Sequence, residues 1–68
     1  MEKVTSATIR RGLKRATAAM AIYLDDDPDP QDSLTDLLTD LQHWCRERNV
    51  DFENQLRVAR SHFESEAK

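Results

Sequence analysis

The chain has 68 residues, with one glycine, two prolines and a net charge of −3. A chain this short forms at most one domain, and its core leaves only about 3–5 kcal/mol of net stability. Its lone cysteine, Cys45, excludes an internal disulfide, so we expect a homodimer to supply the missing stability. Ala, Leu, Arg, Asp and Glu dominate, and no segment alternates apolar with polar residues over strand length, which predicts an all-α fold.

The first helix is predicted over residues 5–24, with Thr5 or Ser6 as its N-cap. Its apolar residues recur at spacings of four and three, which places them on one face. They are Ile9, Leu13, Ala16, Met20 and Tyr23. Four basic residues, which we call the basic face, lie on the opposite side and are candidates for binding a partner. They are Arg10, Arg11, Lys14 and Arg15.

Residues 25–31 are predicted to be an acidic connection. Pro28 and Pro30 each disfavour the helical conformation in the residue before them, so we expect the first helix to end near Leu24. The connection contains the aspartates Asp25, Asp26, Asp27 and Asp29. This cluster lacks the central glycine and closing glutamate of a calcium-binding loop, so a solvated linker is the favoured interpretation.

The second helix is predicted over residues 33–48, with a start at Asp32 or Ser33 and a left-handed stop at Asn49. Its apolar face contains Leu34, Leu37, Leu38, Leu41, Trp44 and Cys45. The opposite side carries a set that we call the polar stripe, namely Asp36, Asp40, His43 and Glu47. We expect the polar stripe to face water, although carboxylates with an imidazole can also bind a metal or transfer protons. His43 and Cys45 point about 160° apart, so no zinc site is predicted.

The third helix is predicted over residues 52–65, with Asp51 as its N-cap and fraying after Glu64. The connection between helices 2 and 3 is so short that the two should form an antiparallel hairpin. The predicted hairpin core is Leu37, Leu41, Phe52, Leu56 and Phe63. Residues 1–68 should therefore be one helical domain that packs as a homodimeric bundle.

Targeting and catalytic signals are weak. The apolar stretch at residues 16–24 is too short to span a membrane and has no cleavage site after it, so we expect a cytoplasmic protein. No glycine-rich phosphate loop and no nucleophile paired with a base occurs in the sequence. The sequence therefore predicts no cofactor, no metal and no enzymatic activity.

Residues 34–64 carry a pattern that resembles a known family. The pattern is LTDLLTDL followed by His43 and Trp44, and then Asp51, Phe52, Leu56, Ala59, His62, Phe63 and Glu64. It is similar to that of a family of short, uncharacterised proteins from bacteriophages, plasmids and other mobile elements. The resemblance implies a small accessory protein that acts in the cytoplasm of a bacterial host, and it implies no activity.

A weaker similarity runs to the all-α MazG-type nucleoside triphosphate pyrophosphohydrolases. The chain shares with them a leucine-rich helix that bears acidic residues and a following helix that begins at an aspartate. Their metal site uses a Glu-Glu-x-x-Glu motif and a later Glu-x-x-Asp, whereas this chain offers Asp36 and Asp40 at a different spacing. This resemblance implies a degenerate metal-dependent nucleotide hydrolase as an alternative function.

The favoured function is a non-enzymatic accessory protein that contacts a host or phage protein and modulates a host machine. The basic face and the polar stripe are its candidate interaction residues. A small nucleic-acid-binding regulator that uses the basic face is a further alternative. The acidic net charge and the absence of aromatic residues among the basic ones argue against nucleic acid.

Overall fold

The computed structural model describes residues 6–66, and this part of the chain consists of three α-helices and no strand. Helix α1 spans Ser6–Asp26, α2 spans Pro30–Glu47 and α3 spans Phe52–Glu66. The all-α prediction is thus confirmed, whereas Thr5, one of the two proposed caps, lies outside the described residues. None of the three helices is long and apolar enough to cross a membrane.

The connection between α1 and α2 is shorter than predicted, because it contains only residues 27–29. Helix α2 begins at Pro30, so the predicted start at Asp32 or Ser33 was wrong. Proline is favoured at the first position of a helix, where its fixed φ fits and its missing N–H is not needed. Asp29 is the N-cap, and its side chain accepts a hydrogen bond of 2.9 Å from the amide of Gln31.

Ser33 secures this connection from within α2. Its side chain is fully buried, and its hydroxyl donates to the backbone carbonyls of Tyr23 and Asp27. The carbonyl of Tyr23 lies in the last turn of α1 and also accepts a hydrogen bond from the amide of Asp27, which is the first residue after the helix. Ser33 therefore caps the preceding helix and holds the end of α1 against the start of α2.

The end of α2 is a Schellman motif, in which a left-handed residue stops the helix. That residue is Asn49, with φ of 61°, as the sequence predicts. The amide of Val50 donates to the carbonyl of Cys45 at 2.8 Å, and the amide of Asn49 donates to that of Arg46 at 3.3 Å. These bonds satisfy carbonyls of the last turn and fix the direction in which the chain leaves α2.

Helix α3 begins where the sequence indicates. The side chain of Asp51 accepts a hydrogen bond of 3.0 Å from the amide of Asn54, which confirms Asp51 as the N-cap. The helix continues to Glu66, the last residue that the structure describes.

Most side chains of the predicted hairpin core between α2 and α3 are exposed. Cys45 is the one buried apolar side chain among residues 7–66, at 7% exposure, and Phe52 next to the junction is half-buried. Farther from the junction, Leu56 is 42% exposed and Phe63 is 69% exposed, and Leu41 on α2 is 38% exposed. Leu37 on α2 is half-buried, and so is Val58 on α3, which lies outside the predicted core, so burial in α3 does not follow the predicted apolar face.

The chain as a whole is open for its size. The Cα radius of gyration is 13.9 Å, compared with about 11 Å for a compact domain of this length. The accessible surface is 5940 Å², whereas a compact protein of 7.9 kDa exposes about 4,400 Å².

Candidate functional site

The basic face lies on α1 and is fully accessible. All four of its side chains, Arg10, Arg11, Lys14 and Arg15, are exposed. Three of them border a shallow depression together with Ala7 and Leu13, and Leu13 is itself 64% exposed. The surface thus combines guanidinium and ammonium donors with apolar area, a combination suited to carboxylates beside an apolar contact.

An apolar residue that the sequence patterns did not single out, Ile22, lies at the far end of the basic face. Ile22 is 71% exposed and follows Arg15 by seven residues and Arg11 by eleven. Both spacings place it on the same side of the helix as these arginines. Helical periodicity alone places Ile22 beside the arginines, but Ile22 lies outside the regular apolar face of α1.

The polar stripe on α2 is exposed at all four positions, Asp36, Asp40, His43 and Glu47. Asp40 nevertheless has a partner, because the hydroxyl of Tyr23 on α1 donates to its Oδ2 atom at 2.8 Å. This hydrogen bond raises the pKa of Tyr23, and desolvation and the charges of Asp40 and Asp36 add to the effect. Asp40 therefore links α2 to α1, which the expectation of a purely solvated stripe did not include.

The polar stripe and the basic face do not form one site. Tyr23 reaches Asp40 from the apolar side of α1, which is opposite to the side that carries the basic residues. The two predicted sets therefore face different directions, and each has to be considered as a separate surface.

The aspartates around the first junction have structural roles. Asp29 caps α2, and the side chain of Asp27 accepts a hydrogen bond of 3.1 Å from the amide of Asp29. Repulsion from Asp29, and then from Asp27, raises the pKa of Asp32 in the first turn of α2. Asp27 and Asp29 thus belong to the connection between the helices, as predicted, whereas Asp25 and Asp26 lie in the last turn of α1, so the prediction was wrong for these two residues.

Trp44 lies at the edge of the contact between α1 and α2. It borders a shallow groove with Tyr23, Asp40 and Leu41, and half of its surface is exposed. The guanidinium carbon of Arg48 lies 5.1 Å from the centre of its ring, within the range of a cation–π contact. Arg48, the residue that follows α2, thus lies over the indole, and half of the Trp44 surface remains exposed.

Metal ligands do not converge in the described part of the chain. Within residues 6–66, no three His, Cys, Asp or Glu side chains are placed so that they could hold one ion. His43 and Cys45 both border a groove at the junction of α2 and α3, but Cys45 is buried and His43 is exposed.

Comparison with known proteins gives no relative from which a role could be transferred. The chain matches no protein-family model, no curated protein and no solved structure. Its exposed surfaces are therefore the basis on which a function can be proposed.

Proposed function

We propose that the chain is a non-enzymatic accessory protein that binds an acidic host or phage protein through the basic face of α1. The observation that carries the proposal is the concentration of four exposed basic side chains on one helix of an otherwise acidic chain. The mobile-element setting, the cytoplasm of a bacterial host and the modulation of a host machine rest on the sequence pattern at residues 34–64.

The apolar residues beside the basic face favour a protein as its partner. Leu13 is 64% exposed and borders the same depression as Arg10 and Lys14, and Ile22 is 71% exposed and follows Arg15 by seven residues. Stable protein interfaces combine apolar contacts with a charged rim, and the charges mainly accelerate association and select the partner. Single-stranded nucleic acid would instead favour stacking aromatics, and no aromatic residue lies among residues 9–22.

The test is a variant with alanine at Arg10, Arg11, Lys14 and Arg15. Exposed substitutions of this kind change stability by less than about 0.5 kcal/mol each, so the variant should keep its far-UV circular dichroism spectrum. It should lose the protein that the unmodified chain captures from a host lysate. A control variant with alanine at Arg46, Arg57 and Arg60 removes exposed basic residues from α2 and α3 and should keep the capture.

Two results would contradict this proposal. Capture retained by the folded basic-face variant would move the interaction to the polar stripe. A gel shift of DNA or RNA by the unmodified chain that weakens steeply with salt would identify nucleic acid as the partner, because phosphate contacts release counterions.

A further inference from the structure

We propose that the groove beside Trp44 binds an arginine side chain of a partner protein other than this chain. This Trp44 groove lies between α1 and α2 and is lined by Tyr23, Asp40, Leu41 and Trp44. Its volume of about 310 Å³ suits a single side chain, because pockets for whole ligands begin at about that size. Tyr23 belongs to the side of α1 opposite the basic face, so the inference is independent of the function proposed above.

An accessible indole forms one side of the Trp44 groove. Half of the Trp44 surface is exposed, and its ring already contacts one cation, since the guanidinium carbon of Arg48 lies 5.1 Å from the ring centre. Arg48 does not line the groove, so the indole area that borders the groove remains accessible. Arginine stacks its planar guanidinium on aromatic rings, and tryptophan is the ring that cations prefer.

Asp40 supplies a carboxylate to the same groove. Its Oδ2 atom accepts a hydrogen bond of 2.8 Å from the hydroxyl of Tyr23, which holds the carboxylate beside α1. A carboxylate offers about four lone-pair positions, so this one bond leaves acceptors for the N–H groups of a guanidinium. Within residues 6–66, no basic side chain pairs with Asp40, so its charge is not neutralised by this part of the chain.

The electrostatic field in the Trp44 groove is negative. The hydrogen bond to Asp40 is the main cause that raises the pKa of Tyr23, and desolvation and the charges of Asp40 and Asp36 raise it further. Both charges therefore act on a group that lines the groove, and a cation is the complementary ligand. Lysine would satisfy the charge alone, because its strongly hydrated ammonium does not stack, whereas arginine satisfies the carboxylate and the indole together.

The first measurement titrates the unmodified chain with three small probes at one ionic strength. Trp44 is the one tryptophan of the chain, so its fluorescence reports on the groove directly. The probes are N-acetyl-arginine amide, N-acetyl-lysine amide and N-acetyl-citrulline amide, the last of which has nearly the shape of the first without its charge. A probe of about 15 non-hydrogen atoms binds with a dissociation constant of about 1 mM at the tightest.

The arginine probe should bind at least about fivefold more tightly than either of the other two. Equal binding of the citrulline probe would show that charge is not recognised, and equal binding of the lysine probe would show that the planar group is not recognised. Either result, or no saturable change up to about 50 mM of the arginine probe, would overturn the proposal.

The second measurement compares Asp40→Asn with Glu64→Gln. Each removes one exposed carboxylate charge, but Glu64 lies on α3 and does not line the groove. Asp40→Asn should weaken binding of the arginine probe by at least about tenfold, and Glu64→Gln should change it by less than about twofold. Equal losses would indicate attraction to the net charge and would overturn the proposal. If circular dichroism shows that Asp40→Asn is unfolded, the three probes on the unmodified chain decide.

A concentration series separates a different protein from a second copy of the chain as the source of the arginine. Any change in Trp44 emission between about 1 and about 100 μM of chain should be the same in the unmodified chain and in the basic-face variant. A change that occurs only in the unmodified chain would place an arginine from the basic face of a second copy in the groove. That result would overturn the assignment to a different protein.

Discussion

Replacing Ser33 with alanine measures how much the junction of α1 and α2 depends on one buried hydroxyl. Without it, the carbonyl of Tyr23 still accepts the amide of Asp27 at 3.1 Å, but the carbonyl of Asp27 loses the donor that Ser33 provides. Leaving one buried acceptor unsatisfied costs about 1–3 kcal/mol, and the higher helix propensity of alanine returns about 0.5 kcal/mol. The expected net loss is about 0.5–2.5 kcal/mol.

A loss of this size is large for this chain. The whole stability expected at this length is about 3–5 kcal/mol. For a domain of 60–100 residues, each kcal/mol shifts the melting temperature by about 4–8 °C, so Ser33→Ala should melt about 2–20 °C lower. Thermal melts followed by far-UV circular dichroism, at one fixed protein concentration, measure the difference.

The matched control is Thr35→Ala in the same helix. The Thr35 hydroxyl also donates to a backbone carbonyl, that of Gln31 at 3.1 Å, but Thr35 is exposed and water can replace it. Thr35→Ala should therefore be as stable as the unmodified chain or slightly more stable. If Ser33→Ala melts within about 2 °C of the unmodified chain, or no lower than the control, the hydroxyl does not hold the junction.

Two further predictions concern Asn49 and Tyr23. Asn49→Ala should lower the free energy of unfolding by about 1 kcal/mol, because alanine tolerates a φ of 61° poorly. Asn49→Gly should cause no loss of stability in urea denaturation, because glycine adopts a positive φ freely. Equal stability of both variants would contradict this prediction. Tyr23 is the one tyrosine of the chain, so its ionisation can be followed by ultraviolet absorbance, and its pKa should lie above that of free tyrosine and fall in Asp40→Asn. Because the folded pKa is raised, the associated stability is complete below about pH 10 and is lost as the pH rises through the folded value. An unchanged tyrosine titration in Asp40→Asn would refute the role of that hydrogen bond.

Local signals in the sequence predicted the second junction well. Asn49 and Asp51 act within five residues of their own positions, so their chemistry alone determines where one helix ends and the next begins. The first junction was harder, because Pro30 was interpreted as a helix breaker although it occupies the first position of α2. Ser33 near a helix start also resembles a cap for its own helix, whereas its hydroxyl serves the helix before it.

Contacts between helices could not be predicted to the same degree. The periodicity correctly indicates which side of α3 carries Phe52, Leu56 and Phe63, but it contains no information on whether a neighbouring helix covers that side. The answer depends on the angle at the junction, which arises from backbone dihedrals at a few residues. The same limit applies to Asp40, because nothing in the spacing of α2 indicates that Tyr23 reaches it from α1.

A small rotation at the junction between α2 and α3 becomes a large displacement at the far end of α3. From Phe52 to Phe63 the helix rises about 16 Å, so a rotation of only about 10° at Asn49 displaces the distal ring by about 3 Å. A displacement of that size is enough to move a side chain out of the hollow between two neighbouring side chains on a facing helix. The hydrogen bonds around Asn49 and Asp51 therefore do more than end one helix and start another. They determine where Phe63 lies relative to α2.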